Sequence, residues 1–149
     1  MIQRIQTIYL FIVVLLFVLS FIIPIVDFTS TQATLTLQYY IAQSDTINLY
    51  AWPSAIVALL IIVLSLITIF KFSNRLIQIK YCNIISILIL AYYIALIGQV
   101  VLFSNGVNEI TINWNPFIVF PFLALPFTIL AKRAIRADER LVRSSERLR

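Results

Sequence analysis

Residues 130–149 read LAKRAIRADERLVRSSERLR and follow directly on a long apolar run. This stretch holds seven of the eleven lysines and arginines in the chain. A strongly basic segment immediately after a hydrophobic run is typical of the cytoplasmic side of a membrane protein. The end of the chain is therefore predicted to lie in the cytoplasm, and that prediction assigns a side to every segment before it.

The composition of the whole chain indicates that its solvent is lipid. Hydrophobic residues make up 62% of the 149 residues and charged residues 11%, whereas about a quarter of the residues of a soluble domain are charged. A water-soluble core could not bury this much apolar surface, so the chain is predicted to be one membrane domain, residues 1–149. The sequence has no histidine, and Cys82 is its one cysteine. An intrachain disulfide and a histidine- or cysteine-rich metal site are therefore excluded.

Four apolar runs predict an all-α membrane protein with four transmembrane helices. Their predicted bounds are 5–26, 52–71, 81–103 and 115–132, and a helix needs about 20 apolar residues to cross a bilayer. All eleven basic residues then fall on one side of the membrane, whereas the loops on the other side carry the acids Asp27, Asp45 and Glu109. This separation of charge predicts that both termini are cytoplasmic.

The two extracytoplasmic loops carry the alternation of half-buried strands. Residues 34–41 alternate between apolar and polar side chains, residues 46–51 form a second candidate strand, and the AQSD sequence of residues 42–45 is typical of a turn between them. A small extracytoplasmic β-hairpin is therefore predicted. Residues 109–114, EITINW, alternate in the same way and are expected to add a strand.

Two prolines, Pro121 and Pro126, fall inside the predicted fourth span. An interior proline lacks the N–H that would bond the carbonyl four residues earlier. The carbonyls left without that donor would be those of Phe117 and Phe122. In a membrane such groups must find partners within the protein or in bound water.

The third span carries polar side chains at matching depths. Because this span runs outward and the fourth runs inward, Gln99 is expected near the level of Phe117, and Tyr92 or Tyr93 near that of Phe122. We expect these side chains to help satisfy the two carbonyls, with a ligand-binding role as the alternative.

Small residues form a stripe along one face of the third span. The candidate helix-packing residues are Ala91, Ala95, Gly98 and Gln99. Small side chains allow helix backbones to approach closely in lipid, where packing drives association. Packing within the chain is the main interpretation, and contact with a partner helix is the alternative.

The basic tail, residues 133–149, keeps helical periodicity beyond the fourth span. It is predicted to be an amphipathic cytoplasmic helix that either continues this span or turns to lie along the lipid headgroups. Some of its side chains are candidates for contact with a partner or with lipid. They are Ile135, Arg136, Arg140, Leu141, Val142, Arg143 and Leu148. A protein partner and anionic lipid both suit this pattern, whereas nucleic acid is not favoured because the tail has no signature for it.

Three segments at the predicted cytoplasmic ends of the helices carry a resemblance to a known family. They are MIQRIQTIYL at residues 1–10, NRLIQIKYC at residues 74–82 and AIRADERLVRSSERLR at residues 134–149. Over its whole length the chain resembles a family of small four-span membrane proteins from Bacteroidetes, which is classed as a domain of unknown function. The resemblance implies a location in the bacterial inner membrane and brings no established activity, ligand or catalytic residue.

The chemistry of the spans does not favour catalysis or ion coupling. Their interiors contain no Asp, Glu, Lys, Arg or His, whereas proton relays and ion-coupled transporters usually need such a residue facing the bundle interior. The sequence therefore predicts no enzyme, no catalytic, cofactor-binding or metal-binding residue, and no cofactor. Our hypothesis is a structural or accessory subunit whose tail docks to a membrane-protein partner or a second copy of the chain. The alternative is a small channel or carrier for a neutral or lipidic solute, which the prolines of the fourth span permit.

Overall fold

A computed structural model shows the chain as a bundle of long helices with short strands at one end. The residues that it describes are 2–23, 25–30, 34–37, 42–44, 47–49, 52–71, 74–104 and 110–146. The helices are α1 (Ile2–Ile22), α2 (Trp52–Phe70), α3 (Arg75–Ser104) and α4 (Val119–Glu146), and a 3₁₀ turn (Pro116–Ile118) leads into α4. The strands are β1 (Val26–Ser30), β2 (Thr34–Leu37), β3 (Ala42–Ser44), β4 (Ile47–Leu49) and β5 (Ile110–Trp114).

Each of these four helices is long and apolar enough to cross a membrane. Large apolar side chains cover their outer faces, such as Ile94 (72% exposed) and Leu102 (76% exposed). A continuous apolar surface of this kind is unfavourable in water and is expected where a protein faces lipid. The structure therefore contains the four predicted helices that are long and apolar enough to span a membrane.

Several helix ends differ from the sequence-based bounds, including the start of α4 at Val119 rather than at 115. Helix α1 ends at Ile22, whereas the sequence predicted that the first span ends at residue 26. Residue 26 is instead the first residue of β1. Helix α3 begins at Arg75 rather than at 81, so Lys80 lies within the helix and not in a loop. The Asn74 carbonyl accepts hydrogen bonds from the N–H groups of Ile77 and Gln78 at 3.1 and 3.2 Å, which starts the first turn at this point.

The prolines of the fourth span have a smaller effect than the sequence suggested. The Asn115 side chain caps the 3₁₀ turn by accepting a hydrogen bond from the Phe117 N–H at 3.3 Å. Pro121 is the third residue of α4, and in the first turn of a helix the missing N–H has no intrahelical role. The prediction that Pro121 frees the Phe117 carbonyl is therefore wrong. Pro126 does lie inside α4, and the helix continues without a break to Glu146.

The four helices form a closed ring in which each packs against two others. Helix α1 packs on α2 and α4, and α3 packs on α2 and α4. The middle of the ring is filled by fully buried apolar side chains from all four helices. They include Val13, Phe17, Ile61, Ile89, Tyr92 and Ala124.

The strands cover the end of the bundle at which α1 ends and α4 begins. Strands β2, β1 and β5, in that order, form an antiparallel sheet. Val26 of the central strand β1 lies opposite Leu37 of β2 and opposite Trp114 of β5. Strands β3 and β4 form a separate antiparallel pair. The predicted pairing is wrong in two respects, because β2 pairs with β1 and because residues 42–44 of the predicted turn form β3. Alternation identifies a strand, but it does not specify the partner.

Candidate functional site at the charged end of the bundle

The charged end of the bundle is where α1 and α3 begin and where α2 ends. Two buried glutamines join helices there. The Gln78 Nε2 donates to the Thr68 carbonyl at 2.8 Å, and the Gln6 Nε2 donates to the Ala134 carbonyl at 3.3 Å. Thr68 lies in the last turn of α2, where carbonyls have no intrahelical donor. Gln78 therefore caps α2 from the neighbouring helix, and Gln6 ties α1 to α4.

An arginine joins the start of α3 to α4. The Arg75 Nη2 lies 3.1 Å from the Asp138 Oδ2, and the two side chains are 22% and 14% exposed. The Arg75 Nη1 also donates to the Asp138 backbone carbonyl at 3.2 Å. The guanidinium thus contacts the same residue twice, through an ion pair with the Asp138 carboxylate and a hydrogen bond to the Asp138 carbonyl, and the Oδ2 atom itself has no hydrogen-bond partner.

A small apolar cluster lies directly inside this polar layer. It consists of Leu10, Cys82, Ala131 and Ile135, each at most 1% exposed. Ile135 was assigned from the sequence to a partner-facing or lipid-facing surface, and its complete burial removes it from that surface. At Ile135 the apolar stripe of the tail therefore packs against the bundle of the same chain.

The remaining tail candidates lie beyond or around this cluster. Arg136 and Arg140 are exposed, Leu141 is 56% exposed, and Val142 is 39% exposed. Residue Arg143 belongs to α4, but its side chain and the whole of Leu148 lie outside the described part of the structure. Helix α4 is unbroken from Val119 to Glu146, so residues 133–146 continue the fourth apolar helix.

Basic side chains surround this end of the bundle. Exposed cations of the described residues are Lys71, Lys80, Arg133, Arg136 and Arg140, and Lys132 is half-buried. The described carboxylates of this end are those of Asp138 and Glu139, so the surface is net positive.

The predicted small-residue stripe lies elsewhere, toward the sheet end of α3. Ala91, Ala95, Gly98 and Gln99 are all half-buried. A Cβ atom added at Gly98 would meet nothing within 4 Å, so no neighbouring helix of this chain approaches closely there. The Gln99 Nε2 is buried without a hydrogen-bond partner, so the expected bond from Gln99 to a carbonyl of the fourth span is not formed.

One of the two tyrosines does contact the start of α4. The Tyr93 Oη donates to the Ile118 carbonyl at 2.7 Å, and its ring packs edge-on against Phe122. The acceptor is therefore Ile118 and not the Phe122 carbonyl that was predicted. Tyr92 is fully buried and packs edge-on against Phe17 with ring centroids 5.6 Å apart.

Sequence reasoning missed the residues that connect the helices at the charged end. Gln6 and Gln78 interrupt apolar runs, and a polar residue in such a run must find a partner, so the signal was available. The pairing of Arg75 with Asp138 had no comparable signal.

In the described part of the chain, no three Cys, Asp or Glu side chains form a group that could hold a metal ion. The arrangement is suited to binding through charge and apolar contact.

The comparison with known proteins identifies the chain by family alone. No curated protein and no solved structure matches it. The profile of one family, described as a domain of unknown function (DUF4293), matches residues 2–148. The resemblance to a family of unknown function is thus confirmed, whereas the bacterial group and the number of spans that came with it stay predictions. The chain belongs to the DUF4293 family.

Proposed function

We propose that this protein is a non-enzymatic accessory subunit of an assembly in the bacterial inner membrane, and that it docks to a protein partner through the end of α4. The observation that carries the proposal is the continuity of α4 past the Arg75–Asp138 contact to Glu146. Beyond that contact the helix continues for eight residues, and Leu141 on it is 56% exposed.

The distribution of charge supports cytoplasmic termini. The described cations gather at the end of the bundle where α1 begins and α4 ends. An excess of lysine and arginine at one end of a helical membrane protein marks its cytoplasmic side. The proposed topology therefore places the strands outside the cytoplasm and the end of α4 within it.

The way α4 is held supports a docking role for its last two turns. Ile135 is buried and Asp138 is fixed by Arg75, so residues 139–146 are presented on a helix whose direction is set by the bundle. Binding to such a preorganised helix costs less conformational entropy than binding to a disordered tail. Leu141 beside Arg140 fits a partner with an apolar groove bordered by carboxylates.

The channel or carrier alternative receives no comparable support. A channel or carrier needs a path through the middle of the helix ring. That position is filled by Phe17, Ile89 and Tyr92, each fully buried. Aromatic packing of Tyr92 against Phe17 and Tyr93 occupies this region. A channel or carrier for a neutral or lipidic solute would have to displace these side chains to open a path through the ring.

Affinity purification of the full chain in mild detergent tests the proposal. Wild-type protein is expected to retain one or more partners reproducibly, and Leu141→Asp to lose them by at least about tenfold, since a buried interface anchor contributes 2 kcal/mol or more. Lys71→Asp is the matched control, because it also places a carboxylate at this end but away from α4. Recovery of no reproducible partner by the wild type, or equal recovery by Leu141→Asp, would refute the proposal.

A further inference from the structure

We propose that the outward face of α4 at the charged end binds the phosphate of an anionic phospholipid through Arg133 and Arg136. We call this surface, with Arg140 one turn farther along, the arginine face. Leu141, which is proposed to dock a partner, lies on another side of the helix. The inference requires that the protein lies in a bilayer, and it does not depend on the accessory role.

Helical spacing places the three arginines on one face of α4. They follow Ile129 by four, seven and eleven residues, which is the spacing of a single helix face. Arg133, Arg136 and Arg140 are all exposed, and Ile129 is 43% exposed. The arginine face therefore points away from the bundle.

The opposite face of α4 is the one that the bundle covers. Ala131 and Ile135 are fully buried, and Asp138 is paired with Arg75 of α3. At 3.6 residues per turn, this buried face lies roughly 150° around the helix from the arginine face. Among the described acids of α4, Glu139 alone borders the arginine face, so three cations outnumber one carboxylate there.

A contact with α1 fixes the depth of the arginines. Because the Gln6 Nε2 donates to the Ala134 carbonyl at 3.3 Å, Arg133 lies at the level of Gln6. The apolar stretch of α1 that is long enough to span a membrane begins at Ile5, so this level is the edge of the apolar zone. Arg136 lies about 4.5 Å farther out along α4, and a headgroup layer is about 5–8 Å thick. Both arginines therefore lie at the depth of lipid headgroups.

The chemistry of the arginine face suits the phosphate of a lipid. A guanidinium group can bind a phosphate through two parallel hydrogen bonds, and residues three apart on a helix are surface neighbours, so Arg133 and Arg136 can reach the same phosphate. Inward along the same face, Ile129 is 43% exposed and Phe122 is 58% exposed. These side chains offer an acyl chain the apolar contact that free phosphate does not use.

Native mass spectrometry of the full chain, delipidated in mild detergent, tests the arginine face with two added lipids of identical acyl chains. Phosphatidylglycerol is expected to bind at least about fivefold more tightly than phosphatidylcholine. The Arg133→Gln, Arg136→Gln double variant is expected to weaken phosphatidylglycerol binding about 25-fold, since each cation near an anionic lipid contributes about fivefold. The Arg133→Lys, Arg136→Lys double variant is expected to recover most of this loss, because an ammonium also binds phosphate.

The matched control is the Lys71→Gln, Lys80→Gln double variant, which removes the same two charges from exposed residues elsewhere at the charged end. Its expected loss is about twofold at most, because distant exposed charges are screened. A loss equal to that of the arginine variant, or equal binding of the two lipids by the wild type, would overturn the proposal.

Two further outcomes would also contradict the arginine face. Displacement of phosphatidylglycerol by millimolar inorganic phosphate would show that the surface takes free phosphate, and a lysine double variant as weak as the glutamine one would show that charge is not the cause. If the glutamine double variant does not fold, each single glutamine variant is expected to lose about fivefold. Unchanged binding by both single variants would then refute the site.

Discussion

Single polar side chains determine how the helices meet at the charged end. Gln6, Arg75 and Gln78 each donate to a backbone carbonyl of another helix. In a bilayer the lipid tails are as apolar as the helices, so helix association depends on van der Waals packing and interhelical hydrogen bonds. These three residues therefore fix the register of the ring.

Substitution of Arg75 tests how much its contact with Asp138 stabilises the bundle. Arg75→Ala leaves the Asp138 carboxylate without its cation and removes the hydrogen bond that Arg75 donates to the Asp138 carbonyl, at a cost of about 2 kcal/mol. We expect the thermal unfolding midpoint in detergent to fall by about 4–8 °C. Arg75→Lys keeps the charge but loses the fork geometry, so an intermediate midpoint is expected.

Lys71→Ala is the control for Arg75, since Lys71 is exposed and surface substitutions usually change stability by less than about 0.5 kcal/mol. An unchanged midpoint for Arg75→Ala would show that the contact with Asp138 contributes nothing to the stability of the bundle.

At the scale of elements, α4 is one helix with two roles. Its first part packs in the ring, and the segment from Ala131 to Asp138 supplies the buried Ile135 and the partner of Arg75. The last two turns then continue beyond these contacts to Glu146. The boundary between bundle and tail therefore lies near Asp138 and not at the end of the apolar run.

Two truncations test this boundary. A chain that ends at Arg140 keeps Ile135 and Asp138, so its unfolding midpoint should match that of the full chain. A chain that ends at Lys132 loses a buried isoleucine, and the loss of such a side chain alone costs about 2–5 kcal/mol. We expect its midpoint to fall by about 6 °C or more. Equal midpoints for the two truncations would contradict the assignment of residues 133–138 to the bundle.

The sequence predicted some of these elements better than others, for physical reasons. Apolar runs identified the helices because length and composition alone decide whether a helix can span lipid. Strand partners were missed because the alternation at residues 34–41 does not name the strand opposite. The spacing of the small stripe does not show what the stripe faces. At Gly98 nothing lies within 4 Å of an added Cβ atom, and contact of the stripe with a partner helix stays a prediction. Ile135 was predicted to face a partner or lipid because helical periodicity shows which residues share a face of the helix but not what covers that face.

On the scale of the whole molecule, the two ends of the ring are closed by different means. At the sheet end, backbone pairing of β1 with β5 joins the end of α1 to the start of α4, and the Asn115 N–H donates to the Ile25 carbonyl at 3.1 Å. At the charged end, side chains donate to backbone carbonyls. Backbone ladders tolerate changes in side chains, so the charged end is the more sensitive of the two to substitution.

The proposed orientation is tested by thiol labelling of intact bacterial cells. In a Cys82→Ala background, which removes the single native cysteine, one new cysteine is placed at exposed Asn113 or at exposed Ser144. A membrane-impermeant maleimide should label Asn113→Cys in intact cells, because β5 is placed outside the cytoplasm, and should label Ser144→Cys after permeabilisation alone. The charge distribution makes this the expected result, since moving a basic segment outward opposes the rule that governs insertion. Labelling of Ser144→Cys in intact cells would reverse the topology, and the cytoplasmic docking proposed for the end of α4 would fail with it.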